Sequence, residues 1–377
     1  MTMNNSTAKY EPGTHPDLAP PSSMVGVQGW IRQNLFSSYL NTALTLFGVY
    51  ILYVIVPPMF DWLYLNATFG TVRTDCPAEA GAREGACWAY IHQWFKQLMY
   101  GRYPDEELWR IRTVYALLAA GLAWLIIPGL KYKGWVATFM LVGFPIIAFV
   151  MFVGDSFGLA FVETPLWGGM FLTLVIAITG IVASLPIGVV LALGRRSDMP
   201  VVKSLCVGFI ELWRGVPLIT VLFMASVMFP LFMPEGVNFD KLLRALIGVM
   251  LFSAAYMAEV IRGGLQAIPK GQYEAAAALG LGYWRMMALV ILPQALKLVI
   301  PGIVNTFIGL FKDTTLVLII GLFDFLGMAQ LVSTNPEWIG FYIEGYVFVA
   351  AGFWIFCFSM SRYSMHLEDK LHTGHRR

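Results

Sequence analysis

Acids and bases are scarce in this sequence, and several stand inside stretches that are otherwise apolar. Glu211 and Arg214 lie three residues apart, Glu259 and Arg262 repeat that spacing, and Lys312, Asp313 and Thr314 are consecutive. An Asp, Lys or Arg at the centre of a membrane helix costs about 2.5–3.5 kcal/mol on insertion scales, so such residues are functional candidates by default. A step of three returns to the same helix face, so each Glu–Arg pair can neutralise itself locally. Two readings stand side by side: ion pairs near span ends that lock helices together, or groups that line or gate a solute path. Lys312, Asp313 and Thr314 offer both charge signs, as a zwitterion's carboxylate and ammonium would need; the alternative is an ion pair at the outer end of the span. Asn305 and Thr306, one or two turns earlier, can extend polar contacts along the same face. Pro217 frees backbone groups for a gate or a solute, or simply kinks a helix for packing.

Other chemistry is not indicated. No Ser-His-Asp set, paired carboxylates or metal-ligand spacing is present, and the histidines are isolated or sit in the tail at His366, His372 and His375. Cys206 and Cys357 lie in apolar runs and read as small hydrophobes. Cys76 and Cys87 share the one long polar loop of the first half. In an oxidising compartment they would form a disulfide; otherwise they are two free thiols.

A second constellation is polar but not ionic: Gly271-Gln-Tyr-Glu274-Ala275-Ala276-Ala277-Ala278-Leu279-Gly280, continuing to Leu292-Pro293. Consecutive alanines favour helix. Pro269 before them and Gly280 after them predict a short, separate helix with Glu274 in its first turn, where negative charge suits the helix dipole. A second short helix from Tyr283 to Leu289 is expected to follow. By residue type alone this is an ordinary connecting helix.

The elements that must position these residues are membrane helices. The chain has 377 residues, of which 58% are hydrophobic and 13% charged, and its mean hydropathy is +0.68. A soluble domain carries about 25% charged residues, so a bilayer is the solvent this composition suits. The net charge of +2 and unclustered bases give no reason to expect nucleic acid. Eight apolar stretches are long enough to cross, near residues 40–65, 112–130, 135–153, 168–193, 205–231, 243–261, 296–320 and 341–360, since a span needs roughly 20 residues. The seventh is interrupted by Lys312 and Asp313; an alternative ends it there, with a separate partly inserted segment over 316–326. The fold class is therefore all-α and polytopic.

Orientation follows from basic residues in short loops. Lys131 and Lys133, Arg195, Arg196 and Lys203, Arg262, Lys270 and Arg285, and Arg362, Lys370, Arg376 and Arg377 fall in alternate loops. Those loops and both termini are thereby expected in the cytoplasm. Loops 154–167 and 232–240 carry no Lys or Arg and are expected outside. Loop 66–111 is also placed outside, against the vote of Arg73, Arg83, Lys96, Arg102 and Arg110. By content the chain divides into a cytoplasmic arm (1–38), an accessory membrane unit of three helices (39–161), a five-helix working unit (162–365) and a cytoplasmic tail (366–377).

The spacing of the alanine segment adds a resemblance. Glu-Ala-Ala, three residues, Gly, nine residues, then Val290-Ile-Leu292-Pro293 resembles the EAA-loop signature of ABC importer permeases, with Val290 where that family usually has Ile. Trp167-Gly-Gly-Met-Phe-Leu-Thr173, Glu211-Leu-Trp-Arg214-Gly215-Val-Pro217-Leu218, Ala255-Tyr256-Met-Ala-Glu259-Val-Ile-Arg262-Gly263-Gly264 and Lys312-Asp-Thr-Thr-Leu316 resemble its polar amino-acid branch. The preceding spans and Gly194-Arg-Arg196 resemble the larger permease of general L-amino-acid importers.

This resemblance implies a type I permease core with a cytoplasmic coupling loop over 265–293, carrying Gly271, Glu274, Ala275, Ala276, Gly280 and Pro293. It further implies a related or identical second permease, two ATPase subunits, an external amino-acid-binding protein and an inner-membrane location. Cofactors are expected only on the partner, as ATP with Mg. The sequence contains no Gly-Lys dipeptide and so no phosphate-cradling Walker A loop; the chain itself is expected not to be an enzyme. The contrasting reading is an ion-coupled secondary amino-acid transporter, which would show inverted repeats and no docking loop.

Overall fold

A computed structural model describes residues 26–77, 84–234 and 239–371. Most of the expected arm, Arg83, and the tail beyond residue 371 lie outside the described residues. The described chain is helical, with isolated bridges such as Gly101–Trp167 and Gly169–Asp324 and no strand among the described residues. Seven helices are long and apolar enough to cross a bilayer: Tyr39–Leu65, Asp105–Ile126, Lys133–Val153, Gly169–Arg195, Lys241–Ala267, Ile300–Ile320 and Tyr342–Leu371. Pro200–Gly215 and Leu218–Leu231 make an eighth if taken as one span, but they meet at 100°.

The fifth span, expected over 205–231 with Pro217 as a candidate kink, is broken at that proline. Val216 leaves the helix at φ −115°, ψ 135°, because the ring of Pro217 disfavours helical backbone at the residue before it. Conversely, Lys312 and Asp313 do not end the seventh span. Helix Ile300–Asp313 continues as a 3-10 segment, Thr314–Ile320, and stops at Gly321, whose φ of 75° is left-handed.

Contacts divide the chain into two compact units. Among the described residues the first holds 26–68 together with 84–86. In it the Ser38 side chain caps helix Tyr39–Phe60, which runs through Pro57 and Pro58 into the π-turn Asp61–Leu65 with no buried residue. A helix apolar all round and covered by nothing suits a lipid-facing span.

The second unit comprises the described residues 69–77, 87–234 and 239–371. Its centre is the fourth span, Gly169–Arg195, packed along the sixth, Lys241–Ala267. Small residues permit the approach: a Cβ on Gly188 would meet Cγ of Met257 at 2.7 Å, as close crossings of membrane helices require. Phe171, Leu172, Ile176, Leu222, Val249 and Leu310 are buried on one side of this pair. Ala192, Ile210, Met257, Ile261, Ile291 and Ala295 form a separate cluster toward the other end.

The loops expected outside gather at one end. Arg73 Nε donates to the carbonyl of Glu337 at 2.7 Å, its guanidinium lies over the rings of Trp338 and Phe341, and Gly101 bridges Trp167. Cys76 and Cys87 are joined there as a disulfide, with Cα atoms 6.0 Å apart. Other bases of this loop are also engaged: Lys96 pairs with Asp105 at 2.5 Å, buried Arg110 pairs with Glu107 at 2.8 Å, and Arg102 lies over Phe323. Arg73, Lys96, Arg102 and Arg110 are thus each engaged by neighbouring groups of a folded module.

Candidate functional site

The opposite end of the second unit carries the alanine segment. Pro269 has no N–H to extend the sixth span, and a new helix, Lys270–Ala278, starts directly after it. Because this helix begins at Lys270, Glu274 stands in its second turn rather than in the expected first. The C-terminal end is closed by two reversed bonds: Gly280 N donates to the Ala277 carbonyl at 2.9 Å and Leu281 N to the Ala276 carbonyl at 3.2 Å. This pair is the Schellman cap, which needs a left-handed residue between helix and exit. Gly280 supplies it at φ 74°. The chain then re-enters helix at Tyr283–Met286, passes a π-turn at Met287–Ile291 and continues as Leu292–Leu298.

The result is an elbow with an unusual outer face. Leu279 is 80%, Trp284 73% and Leu289 70% exposed, and Gly271, Glu274, Ala275, Gly280 and Pro293 are exposed with them. Ala276 is not on that face: at 2% exposure it packs inward, where the helix needs a small residue against its own chain. Two ties hold the elbow to the spans. Gln294 Nε2 donates to Gln272 Oε1 at 3.1 Å, and Arg196 Nη1 donates to the Tyr273 hydroxyl at 3.1 Å.

Next to the elbow lies a charge cluster that differs from the expected pairs. Glu259 and Arg262 do pair, at 2.8 Å. Glu211 and Arg214 do not pair with each other: Glu211 meets Arg195 at 3.1 Å, and Arg214 meets Glu259 at 3.6 Å. Arg195 also bonds Glu259 at 2.7 Å. Glu259 is therefore a hub for three arginines drawn from the fourth, fifth and sixth spans. It is also the least exposed member, at 15% of its side chain, and the Arg214 guanidinium rests 5.6 Å over Tyr256. The i, i+3 spacing exposes only neighbours on one helix, so it could not show Arg195, which sequence reading counted merely as a loop charge. Arg196 and Tyr273 were missed as partners for the same reason.

The polar residues of the seventh span are dispersed. Thr314 is buried and its hydroxyl donates to the Phe311 carbonyl at 2.8 Å, so it spends its polarity on the backbone. Thr306 does likewise toward Gly302. No ion pair joins Lys312 to Asp313 among the described residues. Lys312 and Asn305 are exposed, seven residues apart and hence on one stripe of the helix. Among the described residues no group of His, Cys, Asp and Glu has the arrangement to hold a metal.

Residues 184–373 match the family described as binding-protein-dependent transport system inner membrane component. The chain is 52% identical over 365 residues to the inner membrane amino-acid ABC transporter permease protein YhdY of Escherichia coli (strain K12), covering 96% of this chain and 97% of that one. It is 44% identical to the glutamate/glutamine/aspartate/asparagine transport system permease protein BztC of Rhodobacter capsulatus, over 95% and 98% of the two chains. Among solved structures, an amino acid ABC transporter crystallised with histidines aligns at 29% identity and a TM-score of 0.48, over 54% of this chain and 92% of that chain. The family match spans half the chain and these two relatives run nearly its whole length, so this protein belongs to the inner membrane components of binding-protein-dependent transport systems.

Proposed function

We propose that this chain is the membrane-spanning permease subunit of an ATP-driven importer that carries amino acids across the inner membrane. One observation carries the coupling role: the elbow at Lys270–Ala278 and Gly280 is an end-capped handle whose apolar outer residues, Leu279 and Trp284, are left largely uncovered by the described residues. ATPase subunits supply that cover and bind ATP with Mg, and their closure pulls the elbow. The chain itself performs no catalysis. Family membership leaves the ion-coupled secondary transporter without support.

Orientation puts the elbow and both termini in the cytoplasm and the disulfide-bearing module outside, facing an amino-acid-binding protein. The engagement of Arg73, Lys96, Arg102 and Arg110 within that module supports this reading. The stripe of Asn305 and Lys312 supports a second permease: an exposed Lys in an apolar span is costly against lipid and is acceptable against protein or water. That face then meets a related or identical permease across the solute path. Bending of the fifth span at Pro217, beside the Glu259 hub, supplies a gate between the path and the cytoplasm.

The test is reconstitution of this permease with its ATPase, second permease and binding protein in proteoliposomes. Uptake of a labelled amino-acid mixture should require internal ATP and persist without ion gradients. Uptake driven by a sodium or proton gradient with ATP absent would overturn the proposal.

A further inference from the structure

Resting on the function proposed above, we propose that Arg196 and Tyr273 form a mechanical tie that carries movement of the coupling elbow into the end of the fourth span. The reason for the tie lies in the sequence. In a continuous helix the carbonyl of Leu265 would accept from the backbone N–H four residues later, but that residue is Pro269, which has none. An unpaired carbonyl at a helix end seeks another donor. Arg196 Nη1 donates to it at 2.8 Å, and the Tyr273 hydroxyl donates to it at 3.2 Å.

The same Arg196 nitrogen lies 3.1 Å from the Tyr273 hydroxyl, and the guanidinium sits 5.7 Å from the centre of the Tyr273 ring. Three elements thus converge on one point: the end of the fourth span, the end of the sixth, and the elbow helix. The proline that separates the elbow from the sixth span also creates the vacancy through which the fourth span takes hold of it. Arg195, the preceding residue, bonds the Glu259 hub at 2.7 Å. Two consecutive arginines therefore connect the elbow on one side and the charge cluster beside the bent fifth span on the other. A pull on Lys270–Ala278 is delivered through Arg196 to the segment that holds Arg195, and so to Glu259. Arg196 is a positioning residue in this scheme, without contact with solute or nucleotide.

The tie is tested in the whole permease by spin labels at the exposed positions Asp198 and Lys270, in a background with Cys206 and Cys357 replaced by serine. The inter-label distance distribution should be narrow in the parent and broaden in Arg196→Gln and in Tyr273→Phe. The second variant keeps the ring and removes only the hydroxyl, so it guards against general misfolding. In the reconstituted importer, amino acid moved per ATP hydrolysed should fall at least about fivefold in both, the lower end of ordinary coupling energies. Arg196→Lys, which retains a donor, should recover part of the loss. Unbroadened distributions in both variants would overturn the tie. Broadened distributions with unchanged transport per ATP would overturn its role in transmission. Failure of the unaltered complex to couple uptake to ATP would instead bring down the importer function together with transmission, leaving the label result to report on the contact itself.

Discussion

Gly280 allows backbone strain to be separated from the proposed docking, because its backbone is left-handed and it lies on the exposed elbow. Its φ of 74° is left-handed, and a Cβ built there meets nothing within 4 Å in this chain. Any L-residue therefore costs about 1–2 kcal/mol of backbone strain but no clash within the protein. One kcal/mol is a factor of about five in the population of the formed elbow. Asn tolerates the left-handed region better than other side chains and should lose least. Ala and Glu carry comparable strain and differ only in what they place on the outer face. The series Gly280→Asn, Gly280→Ala and Gly280→Glu should then give mild, moderate and near-complete loss of ATPase capture from detergent extracts, with the same order in ATP-driven uptake. Membrane insertion and amount of permease should be unchanged throughout. Equal capture and uptake by the Ala and Glu variants would refute the reasoning, since it would mean that strain alone acts and that nothing docks on this face.

Further outcomes follow from the charge cluster, the outer module and the seventh span. Glu259→Gln leaves three arginines without their shared carboxylate at a site only 15% exposed; the loss should be about 2–4 kcal/mol, between one charge-assisted hydrogen bond and a broken buried pair, read as a lowered unfolding midpoint of the purified permease. Glu211→Gln, at 58% exposure, should cost under about 1 kcal/mol by the same measurement. Reducing the Cys76–Cys87 bridge, 11 residues apart in sequence, should cost about 3 kcal/mol on the loop-entropy account and make the outer module protease-sensitive; insensitivity to reductant would show that the bond contributes nothing. Lys312→Met should change transport rate or amino-acid preference while the protein inserts normally, and unaltered uptake would remove Lys312 from the path.

What the sequence disclosed tracks what is local. Apolar stretches of about 20 residues mark spans because each helix must satisfy its own backbone in lipid. Pro269 and Gly280 bracket the elbow through backbone restrictions that act at one residue, and they lie where the short helix starts and is capped. The bend at Pro217 was visible as a possibility of kinking but not in its extent, because a 100° turn depends on what the two halves pack against. The hub was hidden for a related cause: Glu259 draws Arg195 across 64 residues of sequence, whereas spacing arguments see only three or four. Likewise the outward appearance of a charged loop concealed a module held by Arg73 at Glu337. Ala276 shows the limit within a motif, since four consecutive alanines do not reveal which one faces inward.

The central claim, that the elbow is a cytoplasmic handle gripped by a separate motor, is tested most directly by labelling a cysteine placed at Leu279 with a membrane-impermeant maleimide. Leu279 is 80% exposed, and Phe157, at 94% in an expected external loop, provides the opposite marker. In a background lacking Cys206 and Cys357, Phe157→Cys should label in intact cells. Leu279→Cys should label only after the membrane is opened, and co-expression of the ATPase should then protect it. Labelling of Leu279→Cys from outside intact cells, or equal labelling with and without the ATPase, would contradict the account.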